Sequence, residues 1–486
     1  MSTIDDEYKL AKEAFVSGLQ GSTAREVFAV FALAPGTQWL YSELLLLLEV
    51  AGLRAVGAGN FRVQSLAVTL VVEFLVLTVP TALAFTKAEL AVPLLAGVYA
   101  TAAVLNLLSW KHAREFVNKH CRKEKMNQLL ERELPFLTCF RAQIMHSTCF
   151  AILAVDFTVF PRRFAKTETF GFSVMDIGVG AFIVSSAIVS SYARQTRLSP
   201  SDAKRAPGLQ PARSFAQRVY AFVRPIVLVA VLGTARFLTV KGVNYQEHVA
   251  EYGVHWNFYF TLAGVYLLYS LLRLFGSAAT SPVAALTMVA VYQVYLTQYG
   301  GEEFILHAPR DTLFSQNREG ILSLAGYTAL YMLAVFTGQV IFSYMDNNGG
   351  RAMRNIRWLA LTFAAVTLIL VVATFISVRL VARPSRRMMN LSYVLWVMAQ
   401  SLFLLGVYCA IQVVCMLPRT PVLFKGMSRN QLFVFIVANL LTGATNLSMR
   451  TIEASPFVAA GVLSVYMFAV STLATVLEVR GVRIKL

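Results

Sequence analysis

In the stretch DFTVFPRRFAKTETFGFS, Asp156 to Ser173, five ionisable groups fall within thirteen positions: Asp156, Arg162, Arg163, Lys166 and Glu168. Apolar runs lie on both sides, and Phe157, Phe160, Phe164 and Phe170 interleave with the charges. Asp156 closes the upstream run, where a carboxylate meets the negative end of a helix dipole. Its pKa should rise unless a cation offsets this, and Lys166, ten residues on, is the nearest sequence candidate. A carboxylate lifted toward neutrality can take a proton from an alcohol. The same Asp156 could equally cap its helix or bridge to Arg162. Arg162 and Arg163 follow Pro161 and form a fork suited to phosphate, or an anchor for lipid headgroups.

Four more clusters carry polar chemistry between apolar runs. Glu247, His248, Glu251, His255, Trp256 and Asn257 form one. His248 and His255 with Glu251 can be drawn as metal ligands, but seven residues is not the i, i+4 spacing of a helical zinc site, so no metal is expected. His255 is better placed as a donor or proton shuttle, and Trp256 suits an interfacial belt. Arg318 and Glu319 precede Gly320; as neighbours on a helix they need not pair. Arg379, Arg383, Arg386 and Arg387 form an arginine group suited to a phosphate-bearing ligand. Asn439, Asn446, Arg450 and Glu453 recur along one helical region, where polar groups usually bond across helices. The Asn-Leu-Ser tripeptides at Asn390 and Asn446 abut apolar runs and are discounted as glycosylation acceptors.

The elements that must position these groups are membrane helices. The 486 residues are 57% hydrophobic and 14% charged, against roughly 25% charged in soluble domains, and mean hydropathy is +0.60. About thirteen apolar runs have bilayer-spanning length, near 26–49, 63–86, 89–110, 138–157, 174–192, 219–239, 258–275, 280–298, 320–344, 357–380, 391–416, 430–449 and 456–479. The expected fold is therefore an all-α polytopic helical bundle, a single integral-membrane domain over 1–486 with a short N-terminal segment and amphipathic lead-in at 1–25. Pro35 and Gly36 should break the first run or leave it partly interfacial, and only Lys87 to Glu89 divide the second from the third. No cleavable signal peptide is apparent in MSTIDDEYKLAKEAF. The five cysteines show no C-x-x-C pair and read as buried small hydrophobes.

Most basic residues lie in the connections after odd-numbered runs. That bias explains a net charge of +17 without a nucleic-acid partner and places those loops, with the C-terminus, in the cytosol. The unusual chemistry sits in the even connections, which should gather on the opposite, lumenal face. There is no Walker motif, H-E-x-x-H or G-x-S-x-G. No pair of halves repeats visibly, which weakens an inverted-repeat transporter.

The segments DFTVFPRRFAKTETFG, MDIGVG, NYQEHVAEYGVHWNF, NREGI, RRMMNLSYVLW, ANLLTGATNLSMRTI and terminal IKL, with EAFVSGLQGST near the start, occur in order along the chain. Together the chain resembles the inositol acyltransferase family of glycosylphosphatidylinositol-anchor synthesis (PIG-W type). The resemblance implies transfer of a fatty acyl group, typically palmitoyl, from acyl-CoA to the inositol 2-hydroxyl of glucosaminyl-phosphatidylinositol in the endoplasmic reticulum membrane. It implies acyl-CoA as co-substrate and no separate cofactor. On this reading Asp156 is the base, Lys166 orients it or stabilises the oxyanion, and His255 stands in reserve. Arg162, Arg163, Glu168, Arg236, Glu247, His248, Trp256, Asn257, Arg318, Glu319, Arg386, Arg387 and Asn439 form the substrate-binding set, the arginines holding phosphates. Acyl-CoA is made in the cytosol, so either the donor threads into a deep intramembrane cavity to meet lumenal motif loops, or the count of spans is off by one and those loops face the cytosol. A transporter with a lumenal vestibule, or a non-catalytic subunit of a membrane complex, are the competing classes.

Overall fold

A computed structural model describes residues 3–50, 63–120, 134–194, 215–242, 249–346, 352–415 and 419–484. The described residues are helical throughout, apart from connections and one isolated bridge between Ser22 and Phe172. Each of the apolar runs falls on a helix. Among the described residues, eight helices are long and apolar enough to cross a membrane: Leu66–Thr86, Ala88–Lys111, Pro135–Ala154, Arg318–Met345, Ala352–Leu380, Leu391–Val414, Gln431–Ser448 and Pro456–Val479. Val174–Ala187 and Phe258–Leu274 are shorter apolar helices. The chain is an all-α polytopic membrane protein.

Local chemistry sets the helix starts. Proline occupies the first turn of Pro135–Ala154, Pro282–Gln298 and Pro456–Val479, where its missing N–H costs nothing. Ser173, Asn257, Ser281, Asn390 and Ser455 cap the helices that follow them with their side-chain oxygens. Asn390 is thus an inward-facing cap, 1% exposed, which is why its tripeptide is no surface acceptor.

The first apolar run is not broken. Ala24–Val50 is one helix with Pro35 inside it. Proline removes the hydrogen bond to the carbonyl four residues back, here that of Phe31. Gln143 Nε2 donates to that oxygen at 2.6 Å, replacing the lost bond. Gly36 leaves room for the Tyr99 ring, whose hydroxyl donates to Ala32 O at 3.0 Å. Neighbouring helices repair the ladder, as they do in membrane bundles generally. The second and third runs are separate helices, parted at Lys87 and a short 3₁₀ turn, Ala88–Leu90.

Pro135–Ala154 and Leu391–Val414 form the centre, with 78% and 83% of their apolar windows buried, against 22% for Ala352–Leu380. The peripheral helices present Leu107, Leu108, Leu361, Leu368, Ile369 and Phe375 outward, as a lipid-facing surface requires. Pro135–Ala154 packs on Val174–Ala187, Leu391–Val414 and Gln431–Ser448. The ends of these four helices that carry Asp156, Asp176, Asn390 and Asn446 therefore meet on one face of the bundle.

Candidate active site

The loop from Asp156 to Ser173 is built before it is charged. Phe157, Phe160 and Phe164 are fully buried and pull it into the bundle. Arg162 then fixes its turn: the guanidinium donates to Val155 O at 2.9 Å, Phe157 O at 3.1 Å and Phe160 O at 2.9 Å, and lies 3.8 Å above the Phe15 ring. Arg162 is a staple between backbone carbonyls rather than an open phosphate fork. Arg163 is half exposed and pairs with Glu26 at 3.0 Å. Glu168 donates its backbone N–H to Leu19 O, and Gly171 its own to Pro384 O, both at 2.9 Å. Gly21 and Gly171 have φ of +82° and +145°, and a Cβ on either would lie 2.4 Å from a carbonyl oxygen of the other segment. Only glycine permits this approach.

Asp156 lies beneath this loop. Its Oδ2 accepts from Asn446 Nδ2 at 2.7 Å, and Lys12 Nζ stands 3.9 Å from Oδ1. Burial raises the pKa of Asp156 above the usual carboxylate range; Lys12, the Asn446 bond, Arg162 and Lys166 pull against it. The elevated pKa expected from the sequence is present, with burial as its main cause.

Lys166 is within electrostatic reach of Asp156, but its hydrogen bonds go elsewhere. Its ammonium grips both oxygens of Glu251, at 2.7 and 2.9 Å. Arg386 donates to the same Glu251 at 3.2 Å and to Asp176 Oδ1 at 2.9 Å. Asp176 also accepts from Thr167 Oγ1 at 2.7 Å, next door to Lys166. The result is a closed chain, Lys166–Glu251–Arg386–Asp176–Thr167, which returns to the loop it started from. Glu251 is a counter-ion in this chain. Arg386 bridges two carboxylates and is not an open phosphate site.

Burial opposes ionisation of Glu251, yet Lys166, Arg386 and Arg236 together bring its pKa from 4.5 down to about 2. A depressed carboxylate pKa adds stability that is complete above the unfolded value and is lost as pH falls through the folded one. The window here is between about 4.5 and 2. Thermal unfolding in detergent should show Tm falling across that window. In Lys166→Met the fall should be smaller and should end at higher pH, because the largest favourable charge is gone and the folded pKa lies nearer the unfolded one. Superimposable Tm–pH curves for the two proteins would refute this assignment.

A second charged cluster flanks the first. Glu319, 1% exposed, accepts from Arg387 at 2.8 Å and from Arg310 at 3.1 Å. Its neighbour Arg318 reaches it only at 3.8 Å and donates mainly to Ile305 O and Ala308 O. Asn317 Oδ1 accepts the His255 N–H at 2.8 Å, which ties the 249–257 segment to the 301–319 segment. His255 lies against Phe237, and its buried Nδ1 has no hydrogen-bond partner among the described residues. Trp256 donates to Thr261 at 2.9 Å and packs against Gly320. Asn257 caps helix Phe258–Leu274 and donates to Gly233 O. Arg236 is exposed on Phe215–Gly242 and adds its charge to Glu251. Asn439 bonds back to Phe435 O of its own helix at 2.7 Å rather than across helices. Glu247 and His248 lie outside the described residues. All five charged connections are thus linked by side-chain or backbone bonds on one face.

The GWT1 family model matches residues 8–477. The chain belongs to the GWT1 family. It is 32% identical to "Phosphatidylinositol-glycan biosynthesis class W protein" of Dictyostelium discoideum, over 99% of this chain and 100% of that one. It is 34% identical to "GPI-anchored wall transfer protein 1" of Aspergillus fumigatus, over 99% of both chains. Against the protein of that name from Yarrowia lipolytica it is 36% identical, over 75% of this chain and 76% of the relative.

In this GWT1-family chain the site contains groups that sequence reasoning passed over. Asp176 looks like an ordinary acidic residue in a helix first turn, which it also is. Tyr393 donates to the Asp176 carbonyl, and Tyr252 and Tyr327 lie within electrostatic reach of Arg386. Lys12 sits in what reads as a lead-in helix, 144 positions before Asp156. One signal was available: Asp176 follows Ser173 at the third position of an otherwise apolar helix, in the run MDIGVG.

Proposed function

We propose that this chain transfers a long-chain fatty acyl group, palmitoyl by preference, from acyl-CoA to the inositol 2-hydroxyl of glucosaminyl-phosphatidylinositol during GPI-anchor biosynthesis in the endoplasmic reticulum membrane. One observation carries the reading: a buried carboxylate of raised pKa, Asp156, and an ion-paired ammonium, Lys166, lie on one loop at the end of a membrane bundle. The names of the family relatives, one of them a phosphatidylinositol-glycan biosynthesis protein, support the substrate class.

The residues suit alcoholysis of a thioester. Asp156 takes the proton of the inositol hydroxyl as its oxygen attacks the acyl carbonyl carbon. The developing oxyanion needs donors already in place, and Lys166, held by Glu251, offers a cation on the same loop. The C–S bond then breaks, the ester remains on inositol, and CoA leaves as thiolate, which takes up a proton. The phosphates of both substrates would be met by the exposed arginines, Arg163 and Arg236 among them. With Arg162, Arg386 and Arg387 engaged internally, their role is to hold the frame.

The test uses the purified full chain in lipid–detergent micelles with labelled palmitoyl-CoA and glucosaminyl-phosphatidylinositol. A labelled lipid that loses its label to mild alkali, with CoA released in equal amount, is the expected product. Binding of both lipids with no ester formed would leave the transporter reading in its place.

A further inference from the structure

The segment before the first membrane helix does not stand apart from the site. Helix Thr3–Val16 and the segment after it cross the charged face and are fixed at four points. Tyr8 lies 5.2 Å from the Arg450 guanidinium, Phe15 lies under Arg162 at 3.8 Å, Leu19 O accepts from Glu168 N at 2.9 Å, and Ser22 N donates to Phe172 O at 2.6 Å. These contacts fall on both walls around Asp156, the 446–450 helix end and the 156–172 loop. At the middle of the crossing, Lys12 Nζ donates to Asn446 Oδ1 at 2.6 Å. The other end of the same amide donates to Asp156 Oδ2 at 2.7 Å. An ammonium can only donate and a carboxylate can only accept, so this arrangement fixes the amide's orientation.

We propose that Lys12 is a positioning residue of the active site, which orients Asp156 through Asn446 and makes the N-terminal helix part of that site. The Lys12 ammonium is 3.9 Å from Oδ1, too far to hydrogen-bond that oxygen but close enough to favour its charge. Oδ2 is held by Asn446, so Oδ1 is the oxygen left to receive a proton. The charged groups facing Asp156 come from each element around it: Lys12 from the N-terminal helix, and Arg162 and Lys166 from its own loop, with neutral Asn446 from Gln431–Ser448. Removing Lys12 therefore leaves a base that is both less ionised and less well aimed.

This inference rests on the acylation reading, and the experiment separates the two. Wild type, Lys12→Met and Lys12→Arg are compared as full chains, with Tm checked for each. In Lys12→Met the acid limb of kcat/KM should move up by about one pH unit. Misalignment should lower kcat about ten- to a hundredfold, with KM for acyl-CoA held. Lys12→Arg should restore the position of the limb, which a loss of packing alone would not do. Alongside, zero-length carbodiimide coupling of wild type should give a Lys12–Asp156 cross-linked peptide by mass spectrometry. An active wild type with an unmoved limb and kcat in Lys12→Met overturns the role of Lys12 alone. A wild type without transfer overturns acylation, and the carbodiimide peptide then decides whether Lys12 faces Asp156; its absence overturns the pairing.

Discussion

Asp156→Asn is expected to lower kcat for acyl transfer by about 10²–10⁴-fold, the contribution of a positioned general base, with little change in Tm or in acyl-CoA binding. Asparagine has the same shape and can still accept from Asn446 Nδ2, which holds the native side chain at 2.7 Å. The substitution also removes a charge that burial disfavours, so the fold has no reason to suffer. What it lacks is a basic oxygen for the inositol proton. The wild-type acid limb should lie above the ordinary carboxylate range, in line with the raised pKa of Asp156. Below that limb the base is protonated and turnover falls; above it the base is free. Asp156→Asn should have no such limb in its residual rate. Single-turnover kinetics with bound acyl-CoA would check this. Wild-type turnover in Asp156→Asn would shift the base to the His255 region, where an imidazole nitrogen already lacks a partner among the described residues.

The membrane class and the helix positions were legible because bilayer length and hydropathy act locally, and because Ser173, Asn390 and Ser455 announce the helices they cap. Asp156 was legible because a carboxylate closing an apolar run is costly wherever the rest of the chain goes. The convergence of the five charged connections followed from charge bias alone. Partners were another matter. Lys166 is bonded to a residue 85 positions away, Arg386 to one 210 positions away, and Asn446 to one 290 positions away. No periodicity encodes such pairings. Arginine next to proline suggested a phosphate fork, but three backbone carbonyls of a tight turn compete for the same donors, and in Arg162 they win. Pro35 suggested a broken helix for the same reason: the repair comes from Gln143, on a helix more than a hundred residues away.

The largest effect on stability should come from Arg386→Met. Its guanidinium is 5% exposed and joins Asp176 to Glu251, at 2.9 and 3.2 Å. Removing one partner of a buried ion pair leaves the other charge uncompensated, at a cost of about 3–5 kcal/mol. Here two carboxylates share one guanidinium, but each keeps a second donor, Lys166 for Glu251 and Thr167 for Asp176. The cost should therefore stay within that range instead of doubling. Arg386→Lys should recover only part of it, since an ammonium cannot present a planar fork to two acceptors. Asp176→Asn combined with Arg386→Met should destabilise by less than the sum of the two single changes, because each removes the other's reason to be charged. Tm and denaturant midpoints in a common detergent would measure all four proteins. Strict additivity would mean that Arg386 and Asp176 act independently, contrary to the geometry. The same substitution should also slow acyl transfer, through a route that stability does not touch. Without Arg386, Glu251 keeps Lys166 but is itself tied down by one cation in place of two, so the carboxylate that anchors Lys166 is less firmly fixed, and on the proposed mechanism the oxyanion donor is less well placed.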